Sequence, residues 1–173
     1  MDPNGNMRNT SMSSNDHKDA HKSQKQYWGD IIWSAIGVTV AIALWLVADD
    51  HSMLLLASLG GSTVFLFALT DAEAAQPRPL FGGHLGGAFI GILCFQFFGD
   101  ALWVSVVAVV LTMVFMVVTR TIHPPAGANP LIMVYHHANF MALLKPVGLG
   151  VLTIFFTAVI WSRLRPGKCY PKA

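Results

Sequence analysis

The sequence predicts an all-α integral membrane protein of about six transmembrane helices, arranged as a 3+3 inverted repeat with interrupted second and fifth spans. Composition, the spacing of apolar runs and a register between the two halves carry that prediction. Of 173 residues 54% are hydrophobic and 12% charged, against roughly 25% charged in soluble domains. Between Ile31 and Ser162 the charged residues are Asp49, Asp50, Asp71, Glu73, Arg78, Asp100, Arg120 and Lys145, and all fall between apolar runs. The runs lie at about 31–48, 52–70, 80–99, 101–119 and 146–162, each close to the ~20 residues that cross a bilayer core.

Ahead of the first run, residues 1–26 are rich in Asn, Ser, Asp, His and Lys and hold no apolar stretch of signal-peptide type. They are expected to be a disordered cytoplasmic tail, which leaves membrane targeting to the first run. His17 and His21 would share a face only if that tail were helical, so a solvated segment is the preferred reading over a metal grip. The transmembrane domain is placed at 27–165, followed by a short basic cytoplasmic tail at 166–173. The formal charge of +2 resides mostly in the two tails. That distribution suits lipid headgroups and excludes a nucleic-acid footprint. Cys94 and Cys169 have neither a disulfide nor a metal-site spacing, and no cofactor or metal is expected.

A sixth candidate span, 123–144, is less apolar and heavily interrupted, and the basic residues decide whether it crosses. With six crossings and the N-terminus inside, Arg8, Lys18, Lys22, Lys25, Arg78, Arg120, Arg163, Arg165, Lys168 and Lys172 all lie inside, leaving Lys145 outside. Five crossings would put the basic RLRPGK end outside, against the positive-inside tendency. Six is therefore expected, with both termini cytoplasmic. A shift of about 67 residues then pairs Gly60 with Gly127, Ser62 with Asn129, Thr63 with Pro130, Arg78 with Lys145, Pro79 with Pro146 and Gly83 with Gly150. Three spans per half would set the halves in opposite orientations, as in many transporters.

The stretch TRTIHPPAGANPLIMVYHH, residues 119–137, gathers prolines, Gly127, Asn129 and three histidines between two apolar runs. Asn is a favoured N-cap and Pro a favoured first helical residue, so Asn129-Pro130 reads as a helix start. His123, Pro124 and Pro125 before it are expected to be extended. In the first half Gly60-Gly61 is expected to break the second run, with Ser62 capping a helix through TVFLFAL. Two half-helices would then begin at membrane depth, where irregular backbone is tolerated only inside protein or against a wet cavity. Their unpaired N–H groups would favour a small anion, with Ser62, Thr63 and Asn129 adding neutral donors. No Asp or Glu interrupts the apolar runs, so the usual carboxylate for cation or proton coupling is missing. The plain alternative is that the glycines and prolines only kink packed helices.

Arg78 and Arg120 both fall at the expected inner face, as anion collectors at a pore mouth or as ordinary positive-inside anchors. Gly82, Gly83, Gly86 and Gly87 permit close helix approach. His84, beside them, and His123 share the inner layer. Either would donate to an anion, carry a coupled proton or simply pack. His136 and His137 are expected at a hydrated outer end.

The segments GGSTVFLF at 60–67, AQPRPLFGGHLGG at 75–87 and TRTIHPPAGANPLI at 119–132 together resemble the HPP family of integral membrane proteins, named for the motif that His123, Pro124 and Pro125 carry here. The resemblance covers about residues 27–165. It implies a small all-helical membrane domain, with nitrite transport as the activity assigned to plastid members and no established substrate for most bacterial ones. The expected location is accordingly a bacterial inner membrane.

The function expected is a transporter or channel for a small monovalent oxyanion, nitrite first, with no covalent chemistry. Gly60, Gly61, Ser62, Thr63, Gly127 and Asn129 would contact the ion, Arg78 and Arg120 would sit at the inner mouth, and His84 and His123 would carry a proton. A membrane-embedded small-ligand sensor or scaffold without transport is the alternative. An enzyme acting on a lipid headgroup through His123 and Arg120 is a third, for which no nucleophile and base pair is recognisable. The glycine face of the third span suggests a homo-oligomer.

Overall fold

Extending an existing helix costs far less than nucleating one, and the polar sequence before the first apolar run contains good helix formers. In the computed structural model α1 accordingly spans Ser14–Ala48, so residues 14–26 are helical where the sequence predicts a disordered tail. The structure describes residues 14–48, 56–164 and 169–172. Residues 1–13, Asp49, Asp50, Arg165 and Lys168 fall outside it, as do the side chains of 14–23, and with them the His17 and His21 pair. The chain divides into Met1–Trp33 and Ser34–Ala173, and every expected site residue lies in the second unit.

Beyond α1 come α2 (Leu56–Ala68), α3 (Pro77–Phe98), α4 (Leu102–Thr119), α5 (Asn129–Tyr135) and α6 (Leu149–Arg163). Every regular element among the described residues is helical. Among the described residues four stretches are long and apolar enough to cross a membrane: Gln24–Val47, Pro77–Phe98, Leu102–Thr119 and Phe140–Arg163. At about 1.5 Å per residue, the 13 residues of α2 and the 7 of α5 reach only ~20 and ~10 Å, short of the ~30 Å hydrocarbon core. Among the described residues the second and fifth candidate spans are thus short helices.

The position of the first expected interruption is not observed. α2 runs unbroken through Gly60, Gly61 and Ser62, because a glycine pair weakens a helix by only about 1 kcal/mol per residue and packing outweighs it. Gly61 lets the HPP segment approach: a Cβ there would lie 3.1 Å from Pro125 Cβ. After His123, which is extended at φ −133°, the chain winds into a 3-10 turn over Pro124–Ala128. Pro124 and Pro125 therefore open a turn instead of continuing an extended segment, since a fixed φ near −65° suits a first helical turn.

α3 is the hub. Pro77 and Pro79 start it behind an extended Gln76, and Gly99, at φ 79°, ends it. Its glycine face is filled from within the chain: Gly82 meets Thr121, Gly83 meets His123, Gly86 meets Phe115 and Gly87 meets Ala126. Gly91 completes the row, since a Cβ there would lie 2.6 Å from Pro130 Cα. The packing role expected of these glycines holds, but the face is occupied by this chain and is not open to a second copy. The main core joins Ala41 and Trp45 of α1, Leu59 and Leu66 of α2, Leu80, Ala88 and Ile92 of α3, and Val151 and Ile154 of α6. On α4, by contrast, Trp103, Val106, Val110, Met113 and Val117 are exposed, an apolar face suited to lipid.

Past α5, the chain turns through a 3-10 turn (Phe140–Leu143) and a wide turn (Leu144–Gly148), in which Lys145 is extended just before Pro146. After α6, residues 169–172 of the expected basic tail are docked beside the Ala75 carbonyl. Tyr170 is buried, its phenol donates to the Ala75 carbonyl at 2.8 Å, and Lys172 Nζ donates to the Asp71 carbonyl at 2.8 Å. Burial pushes the Tyr170 phenol up from its ordinary pKa, so it stays a donor.

Candidate functional site

Where α2, α3, the HPP turn and α5 meet, Ser62, His84, His123 and Asn129 have no exposed surface at all. Ser62 Oγ stands 2.8 Å from His84 Nε2 and 2.8 Å from His123 Nε2, and also 3.0 Å from the Ser58 carbonyl. The two imidazole centroids are 5.1 Å apart. Asn129 Nδ2 lies 3.0 Å from His84 Nδ1 and donates to the His84 carbonyl at 2.9 Å. On the far side, His123 Nδ1 is 2.6 Å from the Ala74 carbonyl, in the 3-10 turn Glu73–Ala75.

With both rings neutral, one arrangement of hydrogens satisfies every ring nitrogen. A carbonyl only accepts, so His123 Nδ1 carries its proton toward Ala74, and in the neutral ring Nε2 is left as an acceptor. Asn129 must aim its amide nitrogen at the His84 carbonyl, and the same nitrogen then donates to His84 Nδ1. Neutral His84 is therefore protonated on Nε2 and donates to Ser62, whose hydroxyl donates onward to His123 Nε2. The donors run in one direction: Asn129 to His84 to Ser62 to His123 to Ala74. One acceptor is left over, because Asn129 Oδ1 is buried with no partner.

Four of the sequence-derived site residues are thus drawn into one chain of bonds. The others are not. Thr63 is buried, but its hydroxyl is committed to the Gly60 carbonyl at 2.7 Å. Gly60 and Gly127 face open space, and Gly61 packs on Pro125. Arg78 is exposed and donates to the Thr119 carbonyl at 2.9 Å. Arg120 lines a cavity of about 320 Å³ together with Glu73, Ala74, Pro79, Val117 and Ile122. That cavity shares Ala74 with the bond to His123.

The capping roles differ from expectation. Asn129 is the first residue inside α5 and makes no cap bond, the N-cap being Ala128. Ser62 lies within α2, so a single helix, not two, begins in this layer, and side-chain donors supply most of the polarity. Arg120 holds the left-handed conformation, φ 55° and ψ 44°, that ends α4, a position usually taken by glycine. Sequence reasoning missed Ser58, whose hydroxyl donates to the Pro125 carbonyl at 3.0 Å, and the Ala74 carbonyl, which no side-chain pattern reveals. It also missed the Ser62–His123 contact, in outline a hydroxyl–imidazole pair of nucleophilic type. That hydroxyl is enclosed on every side and shared with a second imidazole. At the opposite end His137 pairs with exposed Asp100 at 2.9 Å and stacks on Phe95.

Fold and site together define a helical membrane protein built around a closed, uncharged layer of histidine, serine and asparagine. The transmembrane-region model of the HPP family matches residues 23–171, and the chain belongs to that family. A transmembrane protein of Dictyostelium discoideum is 31% identical over 148 residues, 80% of this chain and 48% of its own length. A second from the same organism is 29% identical over 131 residues, 71% of this chain and 46% of its own. The chain spans about half the length of either relative. No solved structure matches it.

Proposed function

We propose that this domain transports a small monovalent oxyanion across the membrane, with nitrite the first candidate and nitrate or a similar anion next. The observation that supports the reading most is the wholly buried Ser62, His84, His123 and Asn129 layer. Polar groups inside an apolar bundle are costly and tend to mark a ligand path. No Asp, Glu, Lys or Arg is buried among the described residues, which favours an anion held by neutral donors over a metal cation. Nitrite itself comes only from the family resemblance.

The inverted repeat belongs to the same reading. With the shift of 67 residues, the last residue of α2, Ala68, falls on the last of α5, Tyr135, and the first of α3, Pro77, on Leu144, where the wide turn before α6 begins. Ser58 and Pro125, equivalent in this register, are hydrogen-bonded to each other, as residues beside a two-fold axis would be. Transport then proceeds by rocking of the halves about the closed layer. Arg120 at the cavity beside Ala74 would gather the anion, and the exposed apolar face of α4 would meet lipid or a second copy.

Proteoliposomes loaded with nitrite, nitrate or formate test the reading, with protein-free liposomes as the baseline for passive leak. Protein-dependent flux of at least one anion is expected, and none for any of the three rejects transport. Thermal stabilisation by an anion without flux selects the sensor reading.

A further inference from the structure

We propose that Ser62, His84 and His123 form a store for a single proton, filled on His123 when the anion enters, so that substrate crosses as an anion plus one proton. The inference rests on the transport reading above and deepens it. Its basis is the count of donors and acceptors in the layer.

In the empty store Ser62 donates to His123 Nε2, and every ring nitrogen is satisfied. A proton added to His123 Nε2 turns that bond around. Nε2–H now donates to Ser62 Oγ, and the hydroxyl hydrogen swings to the Ser58 carbonyl, already 3.0 Å away. Ser62 then accepts from both imidazoles and donates once, which is the full capacity of a hydroxyl. No donor loses its acceptor. A proton added to His84 finds no such place: its free nitrogen, Nδ1, faces Asn129 Nδ2–H. Turning the amide to accept it would set Asn129 Oδ1 against the His84 carbonyl, acceptor against acceptor. The store therefore holds one proton, and holds it on His123.

Charge explains why the proton and the anion enter together. A lone imidazolium or a lone anion in a dry apolar layer is costly, whereas the two side by side are neutral. The hydrogen-bond partners of the two rings are Ser62, Asn129 and the Ala74 carbonyl, all of them neutral. The ionisable groups toward His123 are Glu73 and Arg120 at the cavity behind Ala74, Arg78 in the first turn of α3, and Tyr170 on the Ala75 carbonyl. α2 and the HPP turn contribute no other ionisable group, and α5 only the exposed Tyr135 at its last position.

The test uses wild-type protein in liposomes carrying an internal pH dye, with protein-free liposomes subtracted. Uptake of one proton per anion is expected, at a rate unchanged by an imposed potassium–valinomycin potential. Anion flux without protons, or flux that follows the potential, overturns the store and leaves anion transport standing. No flux with nitrite, nitrate or formate overturns both. In parallel, nitrogen NMR of histidine-labelled protein in bilayers reads the rings. His84 is expected as the Nε2–H tautomer throughout, and His123 as the Nδ1–H tautomer that becomes imidazolium when the transported anion is added. Protonation of His84, or a His123 that stays neutral with anion present, overturns the assignment. Resonances are assigned with His84→Gln and His123→Gln. Where a variant fails to fold, the through-space contact of His123 with Phe65, at a ring separation of 5.7 Å, assigns it instead.

Discussion

Replacing Ser62 with alanine removes one oxygen from the molecule and disconnects the buried layer. His84 Nε2–H loses its acceptor, His123 Nε2 loses its donor, and the Ser58 carbonyl keeps its helical partner. In a soluble core, two lost bonds and two stranded polar groups would cost about 2–6 kcal/mol. Within a bilayer the denatured helices also find partners, and interhelical hydrogen bonds average nearer 0.6 kcal/mol each. Both bonds here are fully buried, so a loss of about 1–3 kcal/mol is expected. Ser58→Ala is the matched control. It removes one bond, to the Pro125 carbonyl, and should cost under about 1 kcal/mol. Equilibrium unfolding in mixed micelles, or steric trapping in bicelles, reads the difference. If Ser62→Ala is as stable as the wild type, or no worse than Ser58→Ala, the bridging hydroxyl is wrong and with it the order of donors through the layer.

Gly91→Ala should destabilise by about 1–3 kcal/mol through overpacking, because the new methyl meets Pro130 backbone at 2.6 Å. Gly60→Ala, in open space on α2, should instead stabilise by about 0.5–1 kcal/mol; both are read by the same unfolding assay, and loss of anion flux in a well-folded Gly60→Ala would restore that backbone to the ion path. Arg120→Gly should relieve left-handed strain worth roughly 1 kcal/mol while slowing anion uptake, a pairing that a merely structural arginine would not give in the flux assay. Reporters fused to the two ends should light up in the same compartment, and opposite compartments would remove the six-crossing count together with the repeat.

Much of this fold was written in local signals. Runs of apolar residues marked α3 and α4 to within a few positions, and the Asn129-Pro130 pair marked where α5 begins. His84, His123, Ser62 and Asn129 were all legible as candidates, since polar residues stand out in apolar sequence. Their mutual bonds were not, because each joins elements 22 to 61 residues apart and no local pattern encodes such a meeting. Propensity misled at Gly60-Gly61, where the backbone cost of two glycines is smaller than the packing gained by letting Pro125 approach. It misled again at Asn129, a good cap that the fold uses to hold His84. Tyr170 was invisible for a different reason: a single aromatic in a basic tail looks like solvent-exposed chain until its partner, the Ala75 carbonyl, is placed beside it.

The turn at Glu73–Ala75 joins two distant parts of the sequence. Its two neighbouring carbonyls are gripped from opposite sides, Ala74 by the His123 ring and Ala75 by the Tyr170 phenol, so the C-terminal segment and the buried layer pull on adjacent peptide units. A load applied at Lys172, which is itself fastened to Asp71 and Gln76, has a path of only a few bonds to the imidazole that orients Ser62. Tyr170 and Lys172 are therefore joined to the innermost hydrogen bonds through two adjacent peptide units, those of Ala74 and Ala75.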